Sequence, residues 1–311
     1  MLRHRLPYGL FMIAVALAVV TLDGRWAPIF PLLFIASTYL TWTIGTELVL
    51  LIDRLPLRIR HRRYARWGAL AIVWANWLPA LVGRLTPALG INAAVDLTSP
   101  TMKASLTAFM VVGMWGYVLT SIDYQRPGDS VLSIAGYLFV FFYVGLMSSF
   151  LYQLRWLSDD AQLGAAAILV SVMTPKFGDA GAYFCGRWLG RHKIVPKLSP
   201  GKTYEGAIGG LVFSIATACW LGANPVPFVT ERPLMHLWGA AVFGLLVGVI
   251  GQVGDLMESL IKRDCEAKDA ARSIPGFGGL LDVADAIMFS APVSYLLLVS
   301  FKGWFRAGLS P

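Results

Sequence analysis

Residues 276–286 read GFGGLLDVADA and run directly into IMFSAPVSYLLLVSF at 287–301. Two aspartates, Asp282 and Asp285, therefore stand at the mouth of a segment apolar enough to lie in lipid. A charged side chain deep in a bilayer costs about 2.5–3.5 kcal/mol even on insertion scales. If the stretch begins a membrane helix at the water boundary, something must compensate these carboxylates, and the rest of the chain must supply it.

The 311 residues are 57% hydrophobic and 14% charged, with a mean hydropathy of +0.64. Soluble domains carry about 25% charged residues, so this is the composition of an integral membrane protein. No fixed-period repeat, low-complexity tract or Pro/Ser-rich linker interrupts it. The start, MLRHRLPYGLFMIAVALAVV, has the basic head and apolar run of a signal peptide. No small-x-small site follows cleanly and more hydrophobic segments come next, so a retained first helix is expected. Cys185, Cys219 and Cys265 lie far apart without a CxxC pair, which favours neither a disulfide framework nor a zinc site. The scattered His4, His61, His192 and His236 likewise disfavour a histidine metal cluster or histidine catalysis. The net charge of +8 is assigned to topology and anionic lipid headgroups rather than nucleic acid.

A spanning helix needs about 20 apolar residues. Candidates fall at 6–22, 28–52, 67–84, 104–121, 131–153, 161–175, 205–222, 236–261 and 281–301, nine in all. With the N-terminus inside, the basic stretches RLPLRIRHRRYAR, KFGDAGAYFCGRWLGRHKIVPKLSPGK and IKRDCEAKDAAR all fall on the cytoplasmic side. That distribution follows the positive-inside rule. The expected class is an all-α, polytopic membrane protein of about nine spans, N-terminus cytoplasmic and C-terminus outside. Hydropathy and motif content divide it into N-terminal transmembrane helices, 1–160, and a C-terminal catalytic membrane domain, 161–311.

The first half is chemically bland. Glu47 is its one clear intramembrane carboxylate, either a polar packing group or part of a cavity wall. In the second half Asp179, Glu205, Asp255, Glu258, Asp264, Glu266, Asp269, Asp282 and Asp285 supply half of all 18 acidic residues, with lysines and arginines between them. The topology places all of them at one membrane face. Asp255 and Glu258 are i and i+3 on a helix, and Lys262 extends that face by one turn. Asp282 and Asp285 repeat the spacing at a helix start, where free N–H groups carry partial positive charge. In IPGFGG, Gly276, Gly278 and Gly279 allow close backbone approach. A loop leading into a helix N-terminus is a ready anion site. Carboxylates suited to hard cations such as Mg²⁺, beside lysines and amides for phosphate, point to phosphoryl or nucleotidyl transfer. The GKT at 201–203 is no P-loop: Pro196 stands where the pattern needs glycine.

At these residues the sequence resembles the phosphatidate cytidylyltransferase (CDP-diacylglycerol synthase) family. SLIKRDCEAKD, IPGFGG and LDVAD match its C-terminal signature, and GDAGAYFCGRWLG, SPGKTYEGAIGG and GDLMES resemble its upstream segments, over roughly residues 175–290. Three positions depart: Phe277 stands where the family has histidine, Val283 where it has arginine, and Ala286 where serine is usual. The resemblance implies an enzyme of the inner membrane with a cytoplasmic active site. It would transfer a cytidylyl group from CTP to phosphatidate in phospholipid biosynthesis, giving CDP-diacylglycerol and pyrophosphate. It implies Mg²⁺, with K⁺ as a candidate second cation, and a homodimer by analogy. Asp269, Asp282 and Asp285 would hold metal, with Asp255 and Glu258 as further candidates. Lys202, Lys262, Arg263 and Lys268 would bind phosphates, and Asp179 would orient ribose or a lysine. The alternatives are a cytidylyltransferase for an isoprenoid-ether lipid phosphate, a CTP-dependent lipid kinase, and an ion-coupled transporter. A transporter should place its carboxylates at mid-depth in two related halves, and no such halves occur here.

Overall fold

The computed structural model describes residues 14–55, 59–88, 102–127, 129–271, 273 and 278–300. Among these every regular element is helical, apart from two isolated bridges at Lys193–Thr203 and Val226–Thr230. Six helices among the described residues are long and apolar enough to cross a membrane: Pro31–Ile52, Lys103–Ile122, Asp129–Trp156, Tyr204–Gly222, Leu237–Asp264 and Leu280–Val299. The expected span at 6–22 lies largely outside the described residues. Two compact units form, Met1–Gln153 with Asp264–Val283, and Leu154–Arg263 with Ala284–Pro311. Packing thus groups Asp264–Val283 with the first unit, whereas motif content groups it with the C-terminal half.

In the first unit, α1 (described over 14–22) leads through a 3-10 turn, Asp23–Trp26, into α2 (Pro31–Ile52). Proline suits the first helical position, where its missing N–H would have no partner. Asp23, fully buried, accepts the amides of Leu32 and Leu33, each at 2.9 Å, and so caps α2 from outside the helix. The stretch 67–84, expected as one span, comprises α3 (Arg62–Trp74), a 3-10 turn Ala75–Trp77 and α4 (Leu78–Ala88). Asn76 marks the break. It donates to the Val73 carbonyl at 2.6 Å and to Ser149 Oγ at 3.0 Å. It also accepts from Ser105 Oγ and Gln153 Nε2, each at 2.9 Å. A buried amide with both ends satisfied pins its neighbours rather than loosening them. Those neighbours belong to α5 (Lys103–Ile122) and to the rod formed by α6 (Asp129–Val140), a π turn (Phe141–Leu146) and α7 (Met147–Gln153).

The second unit contains α8 (Ala161–Trp188), α9 (Tyr204–Gly222), α10 (Leu237–Asp264) and α11 (Leu280–Tyr295) from Ala284 onward. Asp160 caps α8 by accepting from Gln162 N at 2.9 Å. Thr203 caps α9 by accepting from Gly206 N at 3.1 Å. Both are residue types preferred at that position. Small residues then let the helices approach, as membrane packing requires. A Cβ on Gly178 would lie 2.3 Å from Ser214 Oγ, one on Gly244 2.7 Å from Ile215 Cα, and one on Gly254 2.6 Å from Phe289 Cβ. At Gly209 it would meet Cys185 Sγ at 2.4 Å. These glycines serve close helix contact.

The 28 residues of α10 extend about 42 Å at 1.5 Å per residue, more than the roughly 30 Å of a hydrocarbon core. A helix of this length can carry charged residues past the hydrocarbon at one end. Substituting Gly244→Val should force α9 and α10 apart and cost about 1–3 kcal/mol. The expected readout is a lower Tm of the detergent-solubilised protein; an unchanged Tm would contradict this packing.

Candidate active site

In the second unit the C-terminal half of α8, the loop that follows it, the last turns of α10 and the second turn of α11 bring their charged residues together. Asp255, Glu258 and Asp285 each offer one oxygen, and these oxygens lie within 4.8 Å of one another. Glycines make this approach possible: a Cβ on Gly254 would lie 3.1 Å from the Asp285 carbonyl oxygen, and one on Gly251 3.0 Å from Pro175 Cβ. Glu258 is 1% exposed and Asp285 4%, so these carboxylates need compensation.

Three lysines provide it. Lys176 Nζ stands 3.1 Å from Asp179 Oδ2 and 3.4 Å from Asp285 Oδ1. Lys202 Nζ stands 2.9 Å from Asp255 Oδ2 and 3.5 Å from the Gln252 carbonyl. Lys262 Nζ meets Glu258 Oε2 at 2.6 Å, one helical turn away. Arg263 instead points back to the loop, its Nε donating to the Leu198 carbonyl at 3.4 Å. That loop, between α8 and α9, is folded by Ile194 N to Lys202 O at 3.2 Å and Tyr204 N to His192 O at 3.0 Å. It thereby delivers Lys202 to α10.

The remaining predicted residues belong to the first unit. Lys268 and Asp269 are exposed, in the segment after α10. Asp282 accepts from Gly279 N at 2.7 Å and from Ala270 N at 3.0 Å. It reaches back to the amide ahead of its own helix, as the third residue of a capping box does. Gly278 has φ +98°, and a Cβ there would lie 2.7 Å from Asp282 Oδ2, so only glycine fits this bend. Gly276 and Phe277 lie outside the described residues. The i, i+3 pair Asp282 and Asp285 thus divides its work: the first carboxylate holds backbone amides, the second faces Lys176.

One participant, Lys176, is not among the site residues expected from the sequence. Lys176 follows Pro175 on α8, three residues before Asp179. A lysine and an aspartate on one face of a largely apolar helix were the available signal. Glu47, singled out in the sequence as a lone intramembrane carboxylate, belongs to the first unit and takes its hydrogen bonds from residues more than two hundred positions away.

The class defined by this arrangement is a helical membrane protein with an oxygen-rich, lysine-lined centre in its second unit. A model described as the cytidylyltransferase family matches residues 3–301, and the chain belongs to that family. Its enzymes are nucleotidyltransferases. The phosphatidate cytidylyltransferase of Staphylococcus saprophyticus is 30% identical over 272 residues, covering 82% of this chain and 97% of that protein. The Bacillus subtilis protein of the same name is 35% identical over 160 residues, 51% of this chain and 56% of its own. That of Brucella melitensis is 39% identical over 155 residues, 50% and 54% respectively.

The Glu258–Lys262 pair makes a direct prediction. Lys262→Met leaves Glu258 buried without that lysine and should destabilise by about 3–5 kcal/mol. Adding Glu258→Gln should restore most of the loss. Thermal unfolding of both variants in detergent measures this, and a double variant as unstable as the single one would contradict it.

Proposed function

We propose that this protein transfers the cytidylyl group of CTP to phosphatidate, yielding CDP-diacylglycerol and pyrophosphate. The observation that carries this reading is the convergence of Asp255, Glu258 and Asp285 beside Lys176, Lys202 and Lys262 at the end of membrane helices. The names of the relatives and the match over 97% of the Staphylococcus saprophyticus protein support it. A phosphate oxygen of the lipid would attack the α-phosphorus of CTP. The new P–O bond forms as the bond to the β-phosphate breaks, and pyrophosphate leaves with that electron pair. A phosphate monoester is already largely ionised at pH 7, so the site needs no strong base. Its task is to hold two anions together in line.

An oxygen-only donor set is what Mg²⁺ prefers, and the close oxygens of Asp255, Glu258 and Asp285 fit that demand. Bound there, Mg²⁺ would supply charge neutralisation for the triphosphate and the departing pyrophosphate. Lys176, Lys202 and Lys262 would turn from carboxylate to phosphate, and Asp179 would hold Lys176 in place. By family resemblance we also propose metal-binding roles for Asp269 and Asp282 and phosphate-binding roles for Lys268, Arg263 and the Gly276–Gly279 loop, with K⁺ as a second cation. We further propose nine spans, a cytoplasmic N-terminus and an outside C-terminus, in the inner membrane as a homodimer. That topology faces the site toward cytoplasmic CTP. Phe277 and Val283 support a second reading in which the acceptor is a different lipid phosphate, such as an isoprenoid-ether glycerol phosphate.

Purified protein with labelled CTP, Mg²⁺ and a panel of lipid phosphates tests the reading. The expected products are a CDP-lipid and pyrophosphate, lost on chelation and restored by Mg²⁺. Release of CDP instead would identify a lipid kinase. Asp285→Asn should lower kcat by at least about a hundredfold with near-normal expression, and a variant with most of its activity would remove Asp285 from the site. Reporter fusions at both termini should place them on opposite sides, and same-side signals would overturn the nine-span topology.

A further inference from the structure

Glu47 lies on α2, within an apolar span, and is 4% exposed. Its carboxylate accepts from Ser273 Oγ at 2.6 Å, Leu280 N at 3.1 Å and Leu281 N at 2.8 Å. All three donors belong to the segment that carries the LDVAD motif, and they are 226 to 234 residues further along the chain. Gly279 permits the approach, because a Cβ there would lie 2.6 Å from Glu47 Oε2. Asp282 takes the neighbouring amides of Gly279 and Ala270. Two carboxylates therefore hold the start of α11 and the loop ahead of it. The anion at this helix N-terminus is the protein's own, favourable there for the same dipolar reason a phosphate would be.

Helix α11 is continuous from Leu280 to Tyr295. Asp285 stands one turn further along this same helix. We propose that Glu47 is a positioning residue for cytidylyl transfer: it acts through α11 rather than on substrate. The inference rests on the transferase reading above. It assigns the N-terminal half a part in the chemistry beyond anchoring.

Glu47→Gln is isosteric, removes the charge and leaves one acceptor oxygen, so α2 should fold. Hydrogen exchange without substrate or metal should quicken by about tenfold in the peptide covering 278–283, with α8 and α9 unchanged. The folded variant should lose kcat by about a hundredfold, with KM for CTP within about twofold of the original. Faster exchange with unaltered kcat would reduce Glu47 to a structural cap and overturn the proposal. Unaltered exchange would overturn its geometric basis. If Glu47→Gln fails to accumulate, Ser273→Ala should give the same pattern more weakly, and full activity with faster local exchange there would count against it. A wild-type protein inactive on every lipid phosphate would sink the transferase reading and this inference together. An active wild type with an indifferent Glu47→Gln would sink this inference alone.

Discussion

A carboxylate surrounded by apolar helices must either find donors or lose its charge, and that constraint organises this protein. Asp23 meets the amides that begin α2. Glu47 meets those that begin α11. Asp285 and Glu258 meet lysines. The helix starts and the ammonium groups serve the same end, because both offer positive charge where water is scarce. Helix ends and charged side chains are therefore placed as one problem. The folded chain can keep acidic groups only where an amide row or a lysine waits for them.

Close packing makes those meetings exact enough to matter chemically. The glycines of α10 admit Ser214, Pro175 and Phe289 at distances that a side chain would forbid. Asp255 and Glu258 follow directly after this stripe, so the same residues that pull the helices together also set the spacing of the carboxylates. Rigid helices hold a site more steadily than loops do. Here α8, α10 and α11 each deliver an acid or a lysine, and the loop after α8 adds Lys202 under the restraint of its own backbone bonds.

Much of this was legible in the sequence, and for physical reasons. Helical periodicity put Asp255, Glu258 and Lys262 on one face, and the structure pairs two of them directly. Hydropathy read the membrane class, since no other composition fits. What escaped was long-range. The i, i+3 rule treats Asp282 and Asp285 as alike, yet one sits where α11 needs a cap and the next faces α8. The apolar run at 67–84 gives no hint of its break, because the partners that satisfy Asn76 lie on α5 and α7. Glu47 was visible as an oddity, but its donors could not be inferred from any local spacing.

The balance of charge at the centre has a thermodynamic consequence. Asp179, Asp255, Glu258 and Asp285 pair with Lys176, Lys202 and Lys262, so acidic and basic groups there nearly balance. Such a near-neutral cluster projects little long-range field, so it attracts neither a bare polyanion nor a bare cation strongly. Whatever enters does so by trading ion pairs at short range. Discrimination at this centre is then local and contact-driven, and only weakly sensitive to the ionic strength of the surrounding solution.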